Sequence, residues 1–411
     1  MFHFKRLGAL TLALALAATA LTGCSGGGNS SASSSASGSS SQGDSSAQVE
    51  SIDLAQVTDP YLATSGLPGD TVVARIGDSD ITAAEFLYWA SYGTDLYLSQ
   101  FGGYLTSVPW DTDLGGITMA EQMKESSLNA AAFYALLPVV AQQEGLSPAA
   151  DIQAQLDQQL AEMADQVGSE ELVTHVMWYQ MLTPELYLQL NQRADLHMQL
   201  QNLYFGEGSD SYPTDAEVLA YAQDELGVYR AKHILLSTID AETQEPLDEA
   251  TVAEKKATAD DLLAQLRAAE DPIALFDELM NQYSEDPGLT AYPDGYTATS
   301  GQMLPEFEEA ALALQDGEIS DVVESDYGYH IILRLPLDPA DYRDEVVAQR
   351  MQVLSDSWIE EYGLETTESY DQFDLAAFWD SLTALKTAVQ AELQAAEDSA
   401  EADGASSSSA S

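Results

Sequence analysis

The sequence has few basic residues and almost no cysteine. Its 411 residues include 14 Lys and Arg against 68 Asp and Glu, which gives a formal net charge of −54 at neutral pH. Nucleic acids and anionic membrane surfaces are bound through clustered Lys and Arg side chains, so this charge excludes both kinds of electrostatic partner. The single cysteine excludes an internal disulfide and any zinc site built on Cys-x-x-Cys pairs.

The hydrophobic content is ordinary for a folded protein. Hydrophobic residues make up 45% of the sequence, which is enough to build buried cores despite the charge. At roughly 150 residues per domain, the length predicts two or three domains. Composition therefore indicates an acidic, multidomain protein, and its function has to be inferred from motifs.

The first residues have the pattern of an export signal. Lys5 and Arg6 precede an apolar run at residues 7–21, which ends in small residues. A basic start followed by a short apolar core is typical of a secretory signal. The run is shorter than the roughly 20 residues that a helix needs to cross the hydrocarbon core of a bilayer. We therefore predict that residues 1–23 are a signal peptide.

The sole cysteine follows this segment directly. The run Leu21-Thr22-Gly23-Cys24 resembles a bacterial lipobox, in which the cysteine is lipidated and the peptide bond before it is cleaved. The alternative is a buried free thiol, which the glycines on either side of the motif disfavour. The resemblance implies a lipid anchor at Cys24 and an extracytoplasmic location at the cell membrane, with no other contact to the membrane.

Two segments have compositions typical of unfolded chain. Residues 25–47 are almost entirely Ser, Gly and Ala, so we predict that residues 24–70 are the lipidated end and a flexible tether. A Gly/Ser coil of this length spans roughly 25–30 Å. Residues 395–411 mix acidic residues with Ser and are predicted to be a disordered tail.

Residues 71–226 are predicted to be mainly helical. A short strand signal at Val72–Ile76 precedes Thr82, and Glu85 stands three residues further on, which is the spacing of a helix capping box. Another helical stretch is interrupted near Thr183, where Pro184 follows.

Residues 338–394 are also predicted to be helical. Val347, Met351, Leu354 and Trp358 fall on one helix face, and a second helix is predicted from Leu375 to about Leu393. The apolar faces of these helices have no local partner, so we predict that they pack against the first helical segment.

Residues 227–337 have a different pattern and predict a small α+β domain. Ala231–Leu236 is a strand candidate, and two helices follow, at residues 254–266 and from Pro272. Gly328–Leu335 is an apolar strand at the end of the segment. The fold class is therefore α+β, with one small mixed domain flanked by mainly helical segments.

Five sequence blocks in the α+β segment stand in the order and spacing of a known family. The blocks are His233-Ile-Leu-Leu, Tyr283-Ser-Glu-Asp286-Pro, Gly301-Gln-Met303-Leu-Pro-Glu-Phe307-Glu-Glu-Ala, Gly317-Glu318-Ile319-Ser320 and Gly328-Tyr-His330-Ile-Ile. Together they resemble the parvulin family of peptidyl-prolyl isomerases. With the lipobox and the flanking helices, the whole resembles foldase lipoproteins of the PrsA type, which implies that residues 71–226 and 338–394 form a helical chaperone domain.

This resemblance implies three catalytic residues. His233 and His330 match the paired histidines at the floor of the parvulin site, and Asp286 matches a position that is Cys or Asp in the family. Isomerisation of an X-Pro bond needs no nucleophile, so no metal and no cofactor is predicted. Each residue also has a structural interpretation, since a strand His can be a hydrogen-bonded core residue and Asp-Pro-Gly can be a simple turn.

The resemblance also implies three substrate-binding residues. Met303 and Phe307, four apart on one helix face, match the proline pocket of the family, and Tyr327 occupies a position that faces the site. Met303 and Phe307 are also explained as ordinary core residues.

The sequence departs from the family in the loop before Gly301. Many parvulins have Gly-Gly-Asp-Leu-Gly where this chain has Tyr292-Pro-Asp-Gly-Tyr-Thr-Ala298, so the usual pocket leucine is not identifiable and an aromatic residue near Ala298 is missing. The loop after the first strand is acidic, where phosphate-directed parvulins have basic residues. We therefore predict a shallower proline pocket and no specificity for phosphorylated substrates.

The sequence leaves three functions to compare. The leading hypothesis is a lipid-anchored foldase that isomerises X-Pro bonds in newly exported proteins and binds their unfolded segments. The alternative is a non-catalytic holdase that keeps a degenerate parvulin domain. A lipid-anchored solute-binding protein predicts two α/β lobes, which a single strand-bearing segment does not supply. The sequence identifies neither the client proteins nor the oligomeric state.

Overall fold

A computed structural model describes residues 52–101 and 107–408, the last of them, 400–408, as backbone only. The predicted signal peptide, Cys24 and the Ser-rich part of the tether lie outside the described residues. Within the described ranges, no helix is both long enough and apolar enough to cross a membrane.

The described residues form an α+β fold with two antiparallel sheets. The strands are, in chain order, β1 (Val72–Ile76), β2 (Ser79–Thr82), β3 (Val228–Ser237), β4 (Tyr296–Thr299), β5 (Val323–Ser325), β6 (Gly328–Leu335) and β7 (Leu364–Thr366). The helices are, in chain order, α1 (Pro60–Ser65), α2 (Ala83–Gln100), α3 (Met119–Gln143), α4 (Ile152–Val167), α5 (Glu170–Tyr179), α6 (Pro184–Phe205), α7 (Asp215–Asp224), α8 (Glu249–Ala268), α9 (Pro272–Tyr283), α10 (Pro305–Ala313), α11 (Arg343–Tyr362), α12 (Glu368–Asp371) and α13 (Leu375–Ser408).

The chain divides into two compact units. One unit, here called the helical unit, contains the described residues up to Ser211 and those from Ala348 onward. The other, here called the inserted unit, is the continuous segment Tyr212–Val347.

The helical unit is built around one large hydrophobic core. Its sheet has the order β2-β1-β7, so a strand from the C-terminal part of the chain pairs with the first strand. Helix α13 contributes Phe378, Leu382 and Leu385 to the core, and each of these residues is almost fully buried. The N- and C-terminal parts of the chain therefore share a single core.

The helix starts of this unit follow local sequence rules. The predicted strand Val72–Ile76 is confirmed, and so is the capping box at the start of α2. The Glu85 amide donates to Thr82 Oγ1 at 3.3 Å, and the Thr82 amide donates to Glu85 Oε2 at 2.8 Å. Helix α6 begins at Pro184 with Thr183 as its N-cap, at the predicted interruption.

Two predicted unfolded segments differ from the structure. The predicted tether, residues 24–70, contains α1 and a short 3₁₀ helix, because Asp59 caps α1 and the Tyr61 and Leu54 side chains are buried in the core. The predicted disordered tail from residue 395 continues α13 as far as Ser408. The alanines and acidic residues of that tail include strong helix formers, which explains the continuation.

The inserted unit is a four-stranded sheet with helices on both faces. The strand order is β4-β3-β6-β5, and all neighbours are antiparallel. Helices α8 and α9 cover one face, where their side chains pack with Ile234, Ile331 and Leu333. Helix α10 covers part of the other face through Phe307 and Ala311.

The inserted unit is longer at both ends than the predicted domain 227–337. Helix α7 was assigned to the helical segment, but its residue Ala222 packs with Val228 and Leu337 in a small apolar cluster. Residues 71–226 were predicted as one mainly helical segment, and only the fold defines which core α7 joins.

We expect Leu382→Ala to destabilise the helical unit by about 2–5 kcal/mol, because truncating a fully buried leucine removes packing and leaves a cavity. Leu382 has 0% exposure. Leu203→Ala is the matched control, since Leu203 lies on α6 and is 44% exposed. Urea unfolding of the full chain measures both variants, and equal midpoints would contradict this account of the core.

Candidate active site

The register of the central strands brings His233 and His330 together. In the β3–β6 pair, His233 lies opposite Ile332 and His330 lies opposite Leu235. Side chains alternate between the two faces of a sheet, so both histidines point to the face that carries α10 and are diagonal neighbours. Their rings are nearly parallel, at 9°, with centroids 5.2 Å apart.

Asp286 joins the two histidines in a row of hydrogen bonds. His233 Nε2 lies 3.1 Å from Asp286 Oδ2, and His233 Nδ1 lies 3.0 Å from His330 Nδ1. At the far end, His330 Nε2 lies 2.7 Å from Ser325 Oγ. The structure therefore places the three residues predicted as catalytic in one continuous polar row.

The ionised carboxylate of Asp286 sets the direction of every hydrogen bond in this row. A carboxylate only accepts, so His233 donates from Nε2, and in the neutral ring its Nδ1 must accept. His330 then donates from Nδ1 and accepts at Nε2 from the Ser325 hydroxyl. One arrangement with both imidazoles neutral thus satisfies every polar atom of the row.

Burial and hydrogen bonding shift the pKa values of Asp286 and His330 in the directions that this arrangement requires. Burial alone raises the pKa of Asp286, but hydrogen bonds from His233, Tyr296 and the Gly288 amide bring it down to about 2. Burial lowers the pKa of His330 to about 4, with a further lowering by His233 and an opposing effect of Asp286. At neutral pH, Asp286 is therefore charged and His330 is neutral.

Two residues of the polar row were missed by the sequence analysis. Ser325 lies at the end of β5, and Tyr296 lies at the start of β4 and donates its hydroxyl to Asp286 Oδ2 at 2.6 Å. Neither residue has a distinctive sequence signal, because a Ser in a turn and a Tyr in a Gly/Pro-rich loop are common. The loop itself was predicted without a strand, although Tyr296–Thr299 pairs with β3.

The apolar side of the site is formed around Phe307. This ring meets the rings of both histidines edge-on, with centroids 5.2 Å from His233 and 5.8 Å from His330. Met303 packs against the same cluster, but it precedes helix α10 and does not share a helix face with Phe307. Pro305 begins the helix, which is why the predicted helical spacing fails at Met303.

Tyr327 lies beside the row but is not part of it. The Tyr327 amide donates a hydrogen bond to Ser325 Oγ at 3.2 Å. The residue itself is 51% exposed. The structure therefore positions Tyr327 at the rim, where a bound chain would have access to it.

The altered loop approaches strand β3 closely at Gly295. Gly295 has φ of +94°, and a Cβ atom at this position would lie 2.8 Å from the Ala231 carbonyl oxygen. No side chain fits there without moving strand β3. Ala298, near which the family often has an aromatic residue, is 2% exposed.

The other described histidines lie in the helical unit and not in this site. His175 Nδ1 is 2.6 Å from Glu392 Oε2, and His197 packs edge-on against Phe133. Among the described residues, no three His, Cys, Asp or Glu side chains are grouped as ligands of a metal ion.

This geometry agrees with the family comparison. Residues 233–335 match the Rotamase family model, a PPIC-type PPIASE domain. The chain therefore contains a parvulin-type peptidyl-prolyl isomerase domain, which begins and ends on the strands that carry His233 and His330.

The related proteins are foldases. The chain is 37% identical over 120 residues to the foldase protein PrsA of Bacillus subtilis, which covers 29% of this chain and 34% of that protein. It is 29% identical over 225 residues to the foldase protein PrsA of Staphylococcus aureus, which covers 53% of this chain and 63% of that protein. The chain thus spans about a third of the first relative and less than two thirds of the second.

The solved structures that resemble this chain include the crystal structure of PrsA from Bacillus subtilis. That structure is 22% identical, covers 62% of this chain and 91% of its own, and has a TM-score of 0.22.

We expect the imidazole of His330 to remain neutral at pH 6, because burial lowers its pKa to about 4. An exposed imidazole titrates near pH 6.5. Between these values the unfolded chain binds a proton that the folded chain does not, so unfolding free energy is lost as the pH falls from about 6.5 to 4. NMR titration of the ring measures the pKa directly, and a value above 6 would contradict this account. His330→Asn is the control for stability, since it should weaken the pH dependence in this range.

Proposed function

We propose that the chain is a lipid-anchored extracytoplasmic foldase. Its inserted unit catalyses cis-trans isomerisation of X-Pro bonds in newly exported proteins, and its helical unit binds their unfolded segments. The single observation that carries the proposal is the buried row of His233, His330 and Asp286 beside the Phe307 ring.

The barrier to isomerisation comes from amide resonance, which is lost as the C–N bond twists. It amounts to roughly 18–20 kcal/mol. A catalyst must therefore bind the twisted amide more tightly than the planar amide, and it needs no covalent step. Excluding water helps, because water stabilises the more polar planar form. The row is suited to this, since the side chains of His233 and Asp286 are each 11% exposed.

Asp286 supplies the electrostatic part of this mechanism. In the planar amide, resonance moves negative charge onto the carbonyl oxygen, and twisting reduces that charge. A carboxylate near the carbonyl therefore destabilises the planar form more than the twisted form. Its low pKa keeps Asp286 charged at neutral pH. His233 Nε2, 3.1 Å from Asp286 Oδ2, holds the carboxylate in place.

Phe307 and Met303 supply the apolar part of the mechanism. They pack in one cluster on the histidine face of the sheet, where a proline ring would be held away from water. Tyr327 at the rim is proposed to contact the chain on either side of the proline. We propose unfolded or newly exported polypeptides as the substrates.

The helical unit has features suited to binding unfolded segments. It exposes several large apolar side chains, among them Leu96, Phe101 and Met198, which are 39%, 38% and 60% accessible. Unfolded chains expose apolar segments, and Met and aromatic side chains adapt to varied apolar partners.

We expect His330→Asn to lower kcat/KM for isomerisation of an unphosphorylated X-Pro peptide at least tenfold, because the shorter Asn side chain cannot contact both His233 and Ser325 as the imidazole does. A protease-coupled assay on the full chain measures this rate. His175→Asn is the matched control, since His175 lies in the helical unit and should leave the rate unchanged. Equal rates for the wild type and His330→Asn would contradict the catalytic proposal.

The non-catalytic holdase is the second candidate, because the loop at residues 292–298 departs from the family sequence and is proposed to form a shallower proline pocket. The same variants distinguish the two functions when suppression of client aggregation is measured beside isomerisation. A foldase requires isomerisation by the wild type and its loss in His330→Asn. A holdase requires suppression of aggregation by both proteins, with isomerisation at background in both.

We propose membrane attachment through Cys24, on the support of the lipobox-like sequence. We expect Cys24→Ala to move the protein from the membrane fraction to the soluble fraction, because a lipidated cysteine is the proposed attachment. Immunoblots of fractionated cells that express each form provide the measurement. Retention of the variant in the membrane fraction would refute this anchor, and Ser25→Ala is the control that should remain attached.

A further inference from the structure

Tyr296 contacts the polar row, although the family resemblance implies no role for this residue. Its hydroxyl donates to Asp286 Oδ2 at 2.6 Å, and its ring meets the His233 ring edge-on with centroids 5.9 Å apart. A second aromatic residue, Tyr292, supports the ring at a centroid distance of 4.9 Å. Tyr296 therefore contacts two members of the polar row, and its ring packs against the Tyr292 ring.

Both carboxylate oxygens of Asp286 accept hydrogen bonds. Oδ1 accepts from the Gly288 amide at 3.0 Å, while Oδ2 accepts from both Tyr296 and His233. A carboxylate fixed at both oxygens cannot rotate about its Cβ–Cγ bond without breaking a hydrogen bond. Without the phenol, His233 would be the only side-chain donor to Oδ2 among the contacts described.

The backbone next to Asp286 makes room for the phenol. A Cβ atom at Gly288 would lie 2.0 Å from the Tyr296 hydroxyl oxygen, a distance at which the hydroxyl must move. The conformation of Gly288 itself is open to other residues, because it is absent from the positive-φ glycines. The glycine is therefore needed for space and not for backbone freedom.

We infer that Tyr296 is a positioning residue of the isomerase site, which holds Asp286 on His233 through its hydroxyl and depends on Gly288 for access. The inference rests on the proposed isomerase function, because Asp286 is the group through which Tyr296 acts. Tyr296 lies in the loop that departs from the family's Gly-Gly-Asp-Leu-Gly stretch, and its hydroxyl contacts the Asp286 carboxylate.

The surroundings of Asp286 allow the effect of the phenol to be isolated. The titratable groups that face it are His233 on β3, His330 beyond it on β6, and Tyr296 on β4. Its sequence neighbour Glu285 is directed elsewhere, with Oε1 on Lys255 Nζ and Oε2 accepting from the Ser237 amide at 2.8 Å. A substitution at Tyr296 therefore affects Asp286 and His233 most directly.

The test compares Tyr296→Phe, which removes the hydroxyl and keeps the ring, with Tyr292→Phe as the matched control. We expect the pKa of Asp286, measured by NMR of its carboxyl carbon in the full chain, to rise by about one unit or more in Tyr296→Phe alone. We also expect kcat/KM to fall about tenfold and the acid limb of its pH profile to move to higher pH. A substitution that only loosened the packing would leave the pKa of Asp286 unchanged.

Gly288→Ala tests the same contact from the other side. It should displace the hydroxyl and reproduce the loss of kcat/KM expected for Tyr296→Phe. In the Tyr296→Phe background the same alanine should have a smaller effect, because the nearest ring carbon lies 3.1 Å from the new Cβ. Independent, additive effects of the two substitutions would overturn the inference.

The outcomes also separate this inference from the proposed function. If the wild type does not isomerise prolyl peptides, the proposed function fails, while the titration of Asp286 still tests the phenol contact. If the wild type is active and Tyr296→Phe leaves both the Asp286 titration and the pH profile unchanged, the inference is overturned and the function stands.

Discussion

The antiparallel pairing of β3 with β6 holds the polar groups of the candidate site in position. Its register is fixed by apolar side chains on the opposite face, where Ile331 and Leu333 pack under helices α8 and α9. A slip of one residue would exchange the faces and turn His330 into the helix-covered core. The hydrophobic effect on one face of the sheet thus determines the geometry of the hydrogen bonds on the other face.

Elements with strong local sequence signals could be predicted from the sequence, whereas elements defined by distant contacts could not. The Val72–Ile76 strand, the capping box at Thr82 and the two histidine strands follow from short patterns. Tyr296 could not be assigned, because its loop becomes a strand only through pairing with β3. Helix α7 has an apolar face in any context, and only the fold defines the core it joins. The tether prediction extended too far because Leu54 and Tyr61, the residues that dock, lie among small and polar residues.

Some of the scarce basic residues are committed to contacts inside the fold. Lys386 Nζ contacts both carboxylate oxygens of Asp95, at 2.7 and 2.8 Å, and lies over the rings of Trp379 and Tyr179. Arg193 pairs with the buried Glu85 that caps α2. With 14 Lys and Arg against 68 Asp and Glu, acidic side chains far outnumber the basic residues that could pair with them. An acidic surface is self-repelling, which keeps a protein with exposed apolar side chains in solution.

The chain leaves the helical unit and re-enters it at neighbouring points, since Arg350 Nη1 donates to the Ser211 carbonyl oxygen at 2.7 Å. The segment that connects these two points along the chain, Tyr212–Val347, is itself folded. If the insert unfolded, the same connection would become a long flexible loop, whose closure costs up to about 4 kcal/mol in chain entropy. In terms of chain entropy, the closure between the two halves of the helical unit therefore depends on whether the segment Tyr212–Val347 is folded.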